Sequence, residues 1–128
     1  GRVRVWADKL TKGDVFYADN EPVVYLSHRV IQTPSGIGSR TMLVTYYKVI
    51  TINGEAEVND IASFIRSAIR NFYSFTCAKQ YFNEVASDYI CFLIENHEND
   101  TYSVIDEDRL YHLQHEFNLH MSILWESR

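Results

Sequence analysis

The stretch TMLVTYYKVITINGEAEVNDIASFIRSAIRNF, residues 41–72, decides the fold because its hydrophobic pattern changes at Asn59. Before that point β-branched and aromatic residues dominate, as in a strand. Asn53 and Gly54 are typical of a tight hairpin, since both tolerate positive φ. After Asn59 the apolar residues recur with the 3.6-residue period of an amphipathic helix. The stretch therefore predicts an antiparallel sheet followed by helices.

The rest of the chain extends this division. Residues 1–58 are predicted to be mainly β, and the predicted strands cover residues 2–6, 15–17, 23–32, 41–52 and 55–58. Residues 59–128 are predicted to be mainly α. The fold class is thus α+β, an N-terminal antiparallel β-meander packed against C-terminal helices, with residues 1–128 forming a single domain.

The C-terminal half leaves one segment open. A first helix is capped by Asn59 or Asp60 and a second helix by Thr76. The apolar run 89–94 fits either an extension of the second helix or a buried strand, because periodicity cannot decide so short a run. A polar loop and a β-rich segment follow the run, so we favour a short β-hairpin that pairs it with residues 101–105. A last helix opens after this segment.

Composition excludes several classes of protein. The net charge of −5 argues against binding of duplex nucleic acid, which needs a basic face. No apolar run approaches the ~20 residues that cross a membrane, and no signal peptide is evident. Cys77 and Cys91 are predicted to be buried, reduced thiols of a cytoplasmic protein, the host cytoplasm if the chain is viral. A hydrophobic content of 46% predicts a homo-oligomer.

The loop TPSGIGSR, residues 33–40, is the most glycine-rich segment. It lacks the Gly-Lys-Ser/Thr ending and the following helix of a P-loop, and it lacks the three spaced glycines of a dinucleotide-binding turn. We interpret it as a hairpin loop, with Arg40 able to close over the phosphates of a ligand.

Arginines and aromatic residues supply the remaining binding candidates. Arg66 and Arg70 lie one helical turn apart, a spacing that holds a phosphate or equally forms a solvated face. Arg109 stands in an acidic turn, as a salt-bridge partner or as a free cation. Tyr81 and Phe82 offer faces on which a base stacks, although their spacing also fits a core role. The predicted ligand-binding residues are Arg40, Arg66, Arg70, Tyr81, Phe82 and Arg109.

Histidine motifs give weaker signals. His112 and His115 share one helix face, but the four closely spaced ligands of a structural zinc site are missing, so no metal and no cofactor is predicted. Residues 119–123, LHMSI, match one copy of the apolar-His-x-Ser-apolar pattern of the two-histidine phosphodiesterases. That family needs two copies, which place two histidines as acid and base, and this chain holds one.

In size, composition and element order, the whole chain resembles the phage-encoded nucleotide sponges that defeat the Thoeris bacterial defence. The resemblance implies an oligomeric protein that sequesters cyclic ADP-ribose-type signals without cleaving them, and it transfers no site residues. We therefore predict a non-enzymatic protein that binds a small nucleotide-like anion. The alternatives are an acidic inhibitor or adaptor, which binds another protein through the carboxylates between residues 95 and 108, and a two-histidine-type phosphodiesterase.

Overall fold

A computed structural model describes residues 2–18, 21–34 and 41–126. The elements, in chain order, are α1 (Arg2–Ala7), β1 (Val15–Ala18), β2 (Glu21–Pro34), β3 (Thr41–Thr51), β4 (Gly54–Val58), α2 (Ala62–Asn71), α3 (Phe75–Val85), α4 (Ser87–Asn99), a 3₁₀ turn (Tyr102–Val104) and α5 (Glu107–Glu126). The predicted α+β class, with the sheet in the N-terminal half and helices after it, is confirmed.

The four strands form one antiparallel meander in the order β1-β2-β3-β4. Thr51 pairs with Gly54 across the last hairpin, so the two-residue turn consists of Ile52 and Asn53, one position earlier than the sequence indicated. Gly54 has a φ of 111°, which only glycine adopts without strain. The Thr51 hydroxyl donates a hydrogen bond to the Gly54 carbonyl at 2.9 Å and closes the turn.

Helices cover both faces of the sheet. Val23 and Val24 are neighbours in β2 and therefore face opposite sides. Val23 belongs to a core that contains Phe64 of α2 and Phe82 of α3. Val24 belongs to a second core that contains Tyr89 and Leu93 of α4. This explains why the middle of the sheet is apolar on both sides.

Beyond β1 and β4, strands β2 and β3 continue as a two-stranded extension, residues 29–34 paired with 41–46, which we call the distal ribbon. The register shifts by one residue between Tyr25 and Ser27, so Leu26 forms a β-bulge. The bulge places Tyr25 and His28 on the same face, and the Tyr25 hydroxyl lies 2.6 Å from His28 Nδ1.

The prediction of an N-terminal edge strand is wrong, since residues 2–7 form helix α1. Trp6 and Leu10 lie four residues apart and are both buried, a spacing that suits a helical turn. The Trp6 ring contacts the ring of Phe75, at the start of α3, with centroids 5.2 Å apart. This long-range packing decides the conformation of a segment whose local pattern alternates like a strand.

The favoured β-hairpin after the second helix is also wrong. Residues 87–99 form α4, and the segment 101–105 contains a 3₁₀ turn in place of a strand. Tyr89, Leu93 and Asn96 are buried at helical spacing, so the apolar run packs as one helix face. Asn96 accepts a hydrogen bond from the Thr101 hydroxyl at 2.6 Å, which fixes the chain as it leaves the helix.

Smaller details differ as well. Cys77 and Cys91 are exposed, not buried, because the polar sides of α3 and α4 carry them. The cap of α3 is Ser74, whose hydroxyl accepts from the Cys77 amide at 3.2 Å, and not Thr76. The N-cap of α2 is Ile61 and not Asn59 or Asp60, although the Asp60 carboxylate accepts from the Ala62 amide at 3.2 Å.

Among the helices of residues 2–18, 21–34 and 41–126, none has the length and apolarity needed to cross a membrane.

Candidate functional site

A cavity of about 870 Å³ lies between α1, α2 and the outer part of β3. Its size falls within the range of pockets that hold small organic ligands. The apolar part of its lining consists of Val3, Ala7, Leu43, Val44, Ile61, Ala62 and Ile69. The charged and phenolic part consists of Arg2, Arg4, Asp8, Tyr47, Arg66 and Arg70. The cavity thus combines an apolar surface with four guanidinium groups.

Helix α2 presents two of the arginines because of its amphipathic pattern. Ile65 and Ala68 are fully buried against the core, so the opposite side of the helix faces outward. Arg66 and Arg70 lie on that side, one turn apart, and both are exposed. The sequence-based pairing of these two residues therefore corresponds to one wall of the cavity.

Helix α1 supplies the other two arginines, Arg2 and Arg4. Contacts with residues of α3 hold this helix in place. Besides the contact of Trp6 with Phe75, the Lys79 ammonium donates to the Lys9 carbonyl at 3.1 Å. Lys79 also pairs with Asp14 at 3.0 Å. A short helix that would not be stable alone is thereby attached to α3.

The cavity arginines differ from the other described arginines in having no acidic partner. Outside the cavity, Arg29 pairs with Glu57 at 3.0 Å and Arg109 with Glu95 at 3.7 Å. Within the described residues, none of the four arginines of the cavity forms an ion pair. Their charge is available to a ligand, in a chain whose net charge is −5.

Tyr47 lies at the inner side of the cavity and is 8% exposed. Burial raises the pKa of its hydroxyl, the charge of Asp8 raises it further, and the charge of Arg4 lowers it. Asp8 and Arg4 line the same cavity as Tyr47. The Tyr47 ring also contacts the rings of Tyr25 and His28, with centroids 6.4 and 6.0 Å apart. The bulged strand therefore supports the phenol from behind.

The structure distributes the sequence-predicted ligand residues over three places. Arg66 and Arg70 line the cavity. Tyr81 and Phe82 belong to a ring cluster on α3, with Phe82 1% exposed, and they are not among the described residues of the cavity lining. Arg109 lies over the Phe92 ring at 5.1 Å, also outside that lining.

Arg40 and most of the TPSGIGSR loop lie outside the described residues. Strand β3 begins at Thr41, directly after Arg40, and Leu43 and Val44 line the cavity. Only Thr41 and Met42 therefore separate Arg40 from Leu43, the first residue of β3 that lines the cavity.

Sequence reasoning missed the other charged and phenolic residues of the cavity, namely Arg2, Arg4, Asp8 and Tyr47. The spacing Arg2-x-Arg4 is a signal of local positive charge, but it lies about 60 positions from Arg66 in the sequence. Tyr47 is one of nine tyrosines, and no motif in the sequence distinguishes it from the others. The contact between α1 and α2 brings the arginines of α1 to those of α2.

The histidine candidates remain scattered. In the part of the chain that the structure describes, no group of three or more His, Cys, Asp or Glu side chains could hold a metal ion. His120 and Ser122 of the phosphodiesterase-like pattern lie within α5, and neither is among the described residues that line the cavity.

Comparison of the chain with protein-family models, with curated proteins and with solved structures finds no match.

Proposed function

We propose that this protein binds a small nucleotide-like anion in the cavity between α1, α2 and β3 and holds it without converting it. The observation that carries the proposal is the presence of four arginines without acidic partners, among the described residues, around one cavity of about 870 Å³.

Electrostatics support an anionic ligand. Like charges brought close together cost free energy, and the cost disappears when an anion binds between them. Guanidinium groups form paired hydrogen bonds with phosphate or carboxylate oxygens, and this geometry is why arginine is common at phosphate sites. The i, i+4 spacing of Arg66 and Arg70 allows both to reach one anionic group.

The apolar lining supports an organic ligand over a bare inorganic ion. Leu43 and Val44 come from the distal ribbon, while Ile61 and Ile69 come from the region of α2. A phosphate ion would leave this surface in contact with water, whereas a ribose or base would cover it. Arginine also stacks on planar rings. A nucleotide meets both requirements.

The lining also bears on whether the ligand is converted. None of the described cavity residues is Ser, Cys or His, the side chains that most often act as nucleophile or general base. Asp8, Thr45 and Tyr47 are present, and the proposal gives Asp8 and Tyr47 a role in binding, so recovery of the unchanged ligand is part of the test. The resemblance in element order to the phage-encoded nucleotide sponges favours cyclic ADP-ribose-type signals within this ligand class.

The experiment measures calorimetric binding of AMP, ADP, cyclic AMP and cyclic ADP-ribose, first to the unmodified protein. The double variant Arg66→Gln/Arg70→Gln is then compared with Arg29→Gln, which removes an arginine outside the cavity. A charge-assisted hydrogen bond contributes about 1.5–3 kcal/mol, so even after screening the double variant should bind at least tenfold more weakly. The control should bind as the unmodified protein does.

Three results would count against the proposal. Failure of every nucleotide to bind would remove the ligand class. Equal affinity of the double variant would show that the ligand does not bind in this cavity. Loss of binding in Arg109→Gln alone would place the ligand at Arg109, which the sequence also predicts as a ligand-binding residue. Recovery of cleaved nucleotide after heating the complex would contradict retention without conversion.

One observation favours a second function, an acidic inhibitor or adaptor that binds another protein. The carboxylates at the junction of α4 and α5 are all exposed, namely Glu95, Glu98, Asp100, Asp106, Glu107 and Asp108. Such a surface complements a basic partner. Native mass spectrometry of the protein purified from cells distinguishes the two functions. A bound mass of a few hundred daltons supports the nucleotide-binding function, and a bound protein supports the inhibitor.

A further inference from the structure

Arg4, Asp8 and Tyr47 are three polar groups of the cavity that differ in kind from the arginine pair on α2. Arg4 is a hydrogen-bond donor, Asp8 is an acceptor, and the Tyr47 hydroxyl is both. Among the described residues, none of these three side chains makes a hydrogen bond or an ion pair. All three line the cavity, so their hydrogen-bonding capacity is open to a ligand.

Different walls of the cavity carry the two sets of groups. Arg4 lies on α1, Asp8 directly follows that helix and Tyr47 lies on β3, whereas Arg66 and Arg70 lie on α2. A ligand that contacts both regions must present more than one kind of polar group.

The chemistry of the two regions differs accordingly. Arg66 and Arg70 provide only donors and positive charge, which suits a phosphate. The region of Asp8, Arg4 and Tyr47 contains a carboxylate, which repels a second phosphate and accepts hydrogen bonds from hydroxyl or amino groups. Such a mixed set of donor and acceptor suits a neutral polar group.

We propose that Asp8, together with Arg4 and Tyr47, is the specificity-determining part of the site: it selects a neutral group with hydrogen-bond donors, while Arg66 and Arg70 hold the phosphate. The neutral group is a pair of sugar hydroxyls or the edge of a nucleobase. This inference rests on the proposed function, because it concerns the same cavity.

Asp8→Asn tests the assignment, since it removes the charge with little change of shape. Asp8 is exposed and follows the last turn of α1, where a negative charge is unfavourable to the helix, so the variant should fold. Asp108→Asn is the matched control, an exposed carboxylate outside the cavity. The probes are AMP, ribose 5-phosphate and inorganic pyrophosphate.

We expect Asp8→Asn to weaken binding of AMP about tenfold, because a donor of the ligand loses its charged acceptor. The same variant should bind pyrophosphate about threefold more tightly, because a like charge has been removed. Equal weakening for ribose 5-phosphate indicates that Asp8 contacts the sugar, and weakening for AMP alone indicates the base. Asp108→Asn should change none of these affinities.

The inference and the proposed function fail in different ways. If the unmodified protein binds AMP and the Arg66→Gln/Arg70→Gln variant does not, but Asp8→Asn leaves the preference for AMP over pyrophosphate unchanged, then the role of Asp8 is refuted and the proposed function stands. If the unmodified protein binds none of the three probes, the role of Asp8 is refuted, and the proposed function is refuted as well when ADP, cyclic AMP and cyclic ADP-ribose also fail to bind.

Discussion

Replacement of Asp14 by Asn should lower the free energy of unfolding far more than a typical substitution of similar size and shape at the surface. Asp14 is 6% exposed and lies in the loop between α1 and β1. One carboxylate oxygen accepts from the Thr11 amide at 2.8 Å and from Lys79 at 3.0 Å. The other accepts from the Asn83 amide group at 3.1 Å. These bonds join the loop behind α1 to helix α3.

The amide of an asparagine satisfies this arrangement in neither orientation. Asn83 cannot rotate its own amide, because its oxygen already accepts from the Val15 backbone at 3.0 Å. A new NH₂ group at position 14 would therefore face either the NH₂ of Asn83 or the donors of Thr11 and Lys79. A buried donor without an acceptor costs about 1–3 kcal/mol, and the charge partner of Lys79 is lost in addition.

We take about 3 kcal/mol as the expected cost of Asp14→Asn. The unfolding entropy of about 2.1 cal/mol/K per residue gives roughly 0.27 kcal/mol/K for a chain of 128 residues. The melting temperature should then fall by about 11 °C. Glu84→Gln is the control, because Glu84 is an exposed carboxylate on the same helix as Asn83 and Lys79. It should melt within about 2 °C of the unmodified protein.

The effect should also depend on pH. Burial alone raises the pKa of Asp14, but the hydrogen bonds from Thr11, Lys79 and Asn83 together outweigh burial and hold it below its ordinary value. A lowered pKa stabilises the folded state above the unfolded pKa, and the stabilisation is lost as the pH falls through the folded pKa. Thermal melts at pH 7, 5, 4 and 3 should therefore show a difference between Asp14→Asn and the unmodified protein that shrinks below about pH 4. A difference under 0.5 kcal/mol at pH 7, or one that grows in acid, would refute the reasoning.

Four further outcomes follow from the packing. Ile65 is fully buried, so Ile65→Asp should cost several kcal/mol and unfold the protein in circular dichroism, whereas Ser63→Asp on the exposed side of α2 should leave the signal unchanged. Gly54→Ala should lower the unfolding free energy in urea by about 1–2 kcal/mol because of the positive φ, and an unchanged midpoint would contradict that geometry. Burial raises the pKa of Tyr89 to about 12, so Tyr89→Phe should remove a late-titrating component from the ultraviolet titration of the tyrosines and leave the earlier ones intact. Light scattering at tens of micromolar should give the mass of a dimer or larger homo-oligomer, because the distal ribbon exposes apolar side chains, and a monomer mass would refute this.

The sequence contained enough information for the order of the sheet and the helices. The β-branched run of β3 and the period of α2 are local signals, and each is consistent over ten or more residues. Such long patterns resist the influence of neighbouring elements. Gly54 fixed the last hairpin to within one residue for the same reason, since its positive φ is a local requirement.

The errors arose where tertiary contacts override a short local pattern. The alternation of Arg and Val in residues 2–5 fits a strand, but burial of Trp6 and Leu10 on one side requires a helical turn. The run 89–94 fits a strand or a helix equally well. Its contact with Val24 and Ile50, on the second face of the sheet, selects the helix, and nothing in the local sequence predicts that this face is covered.

The sequence predicted only the part of the candidate site that lies on helix α2, namely Arg66 and Arg70. The i, i+4 spacing of Arg66 and Arg70 is enough by itself to identify a candidate clamp for an anion. Arg2, Arg4 and Asp8 join that clamp through the packing of α1 on α2, which depends on Trp6 and on its contact with α3. A cluster assembled from distant segments has no period and no spacing, so sequence patterns do not reveal it.

The arginines of the cavity differ from the other described arginines of this chain, which have acidic partners. The chain has more carboxylates than basic groups, 17 against 12, so acceptors for a guanidinium are abundant. Arg29 and Arg109 each lie beside one of them, as folding alone would favour. Four guanidinium groups around one cavity, with Asp8 as the single carboxylate in its described lining, add mutual repulsion to the empty state. That repulsion does nothing for the fold, and an anion in the cavity would relieve it, which is the reason that we propose an anionic ligand.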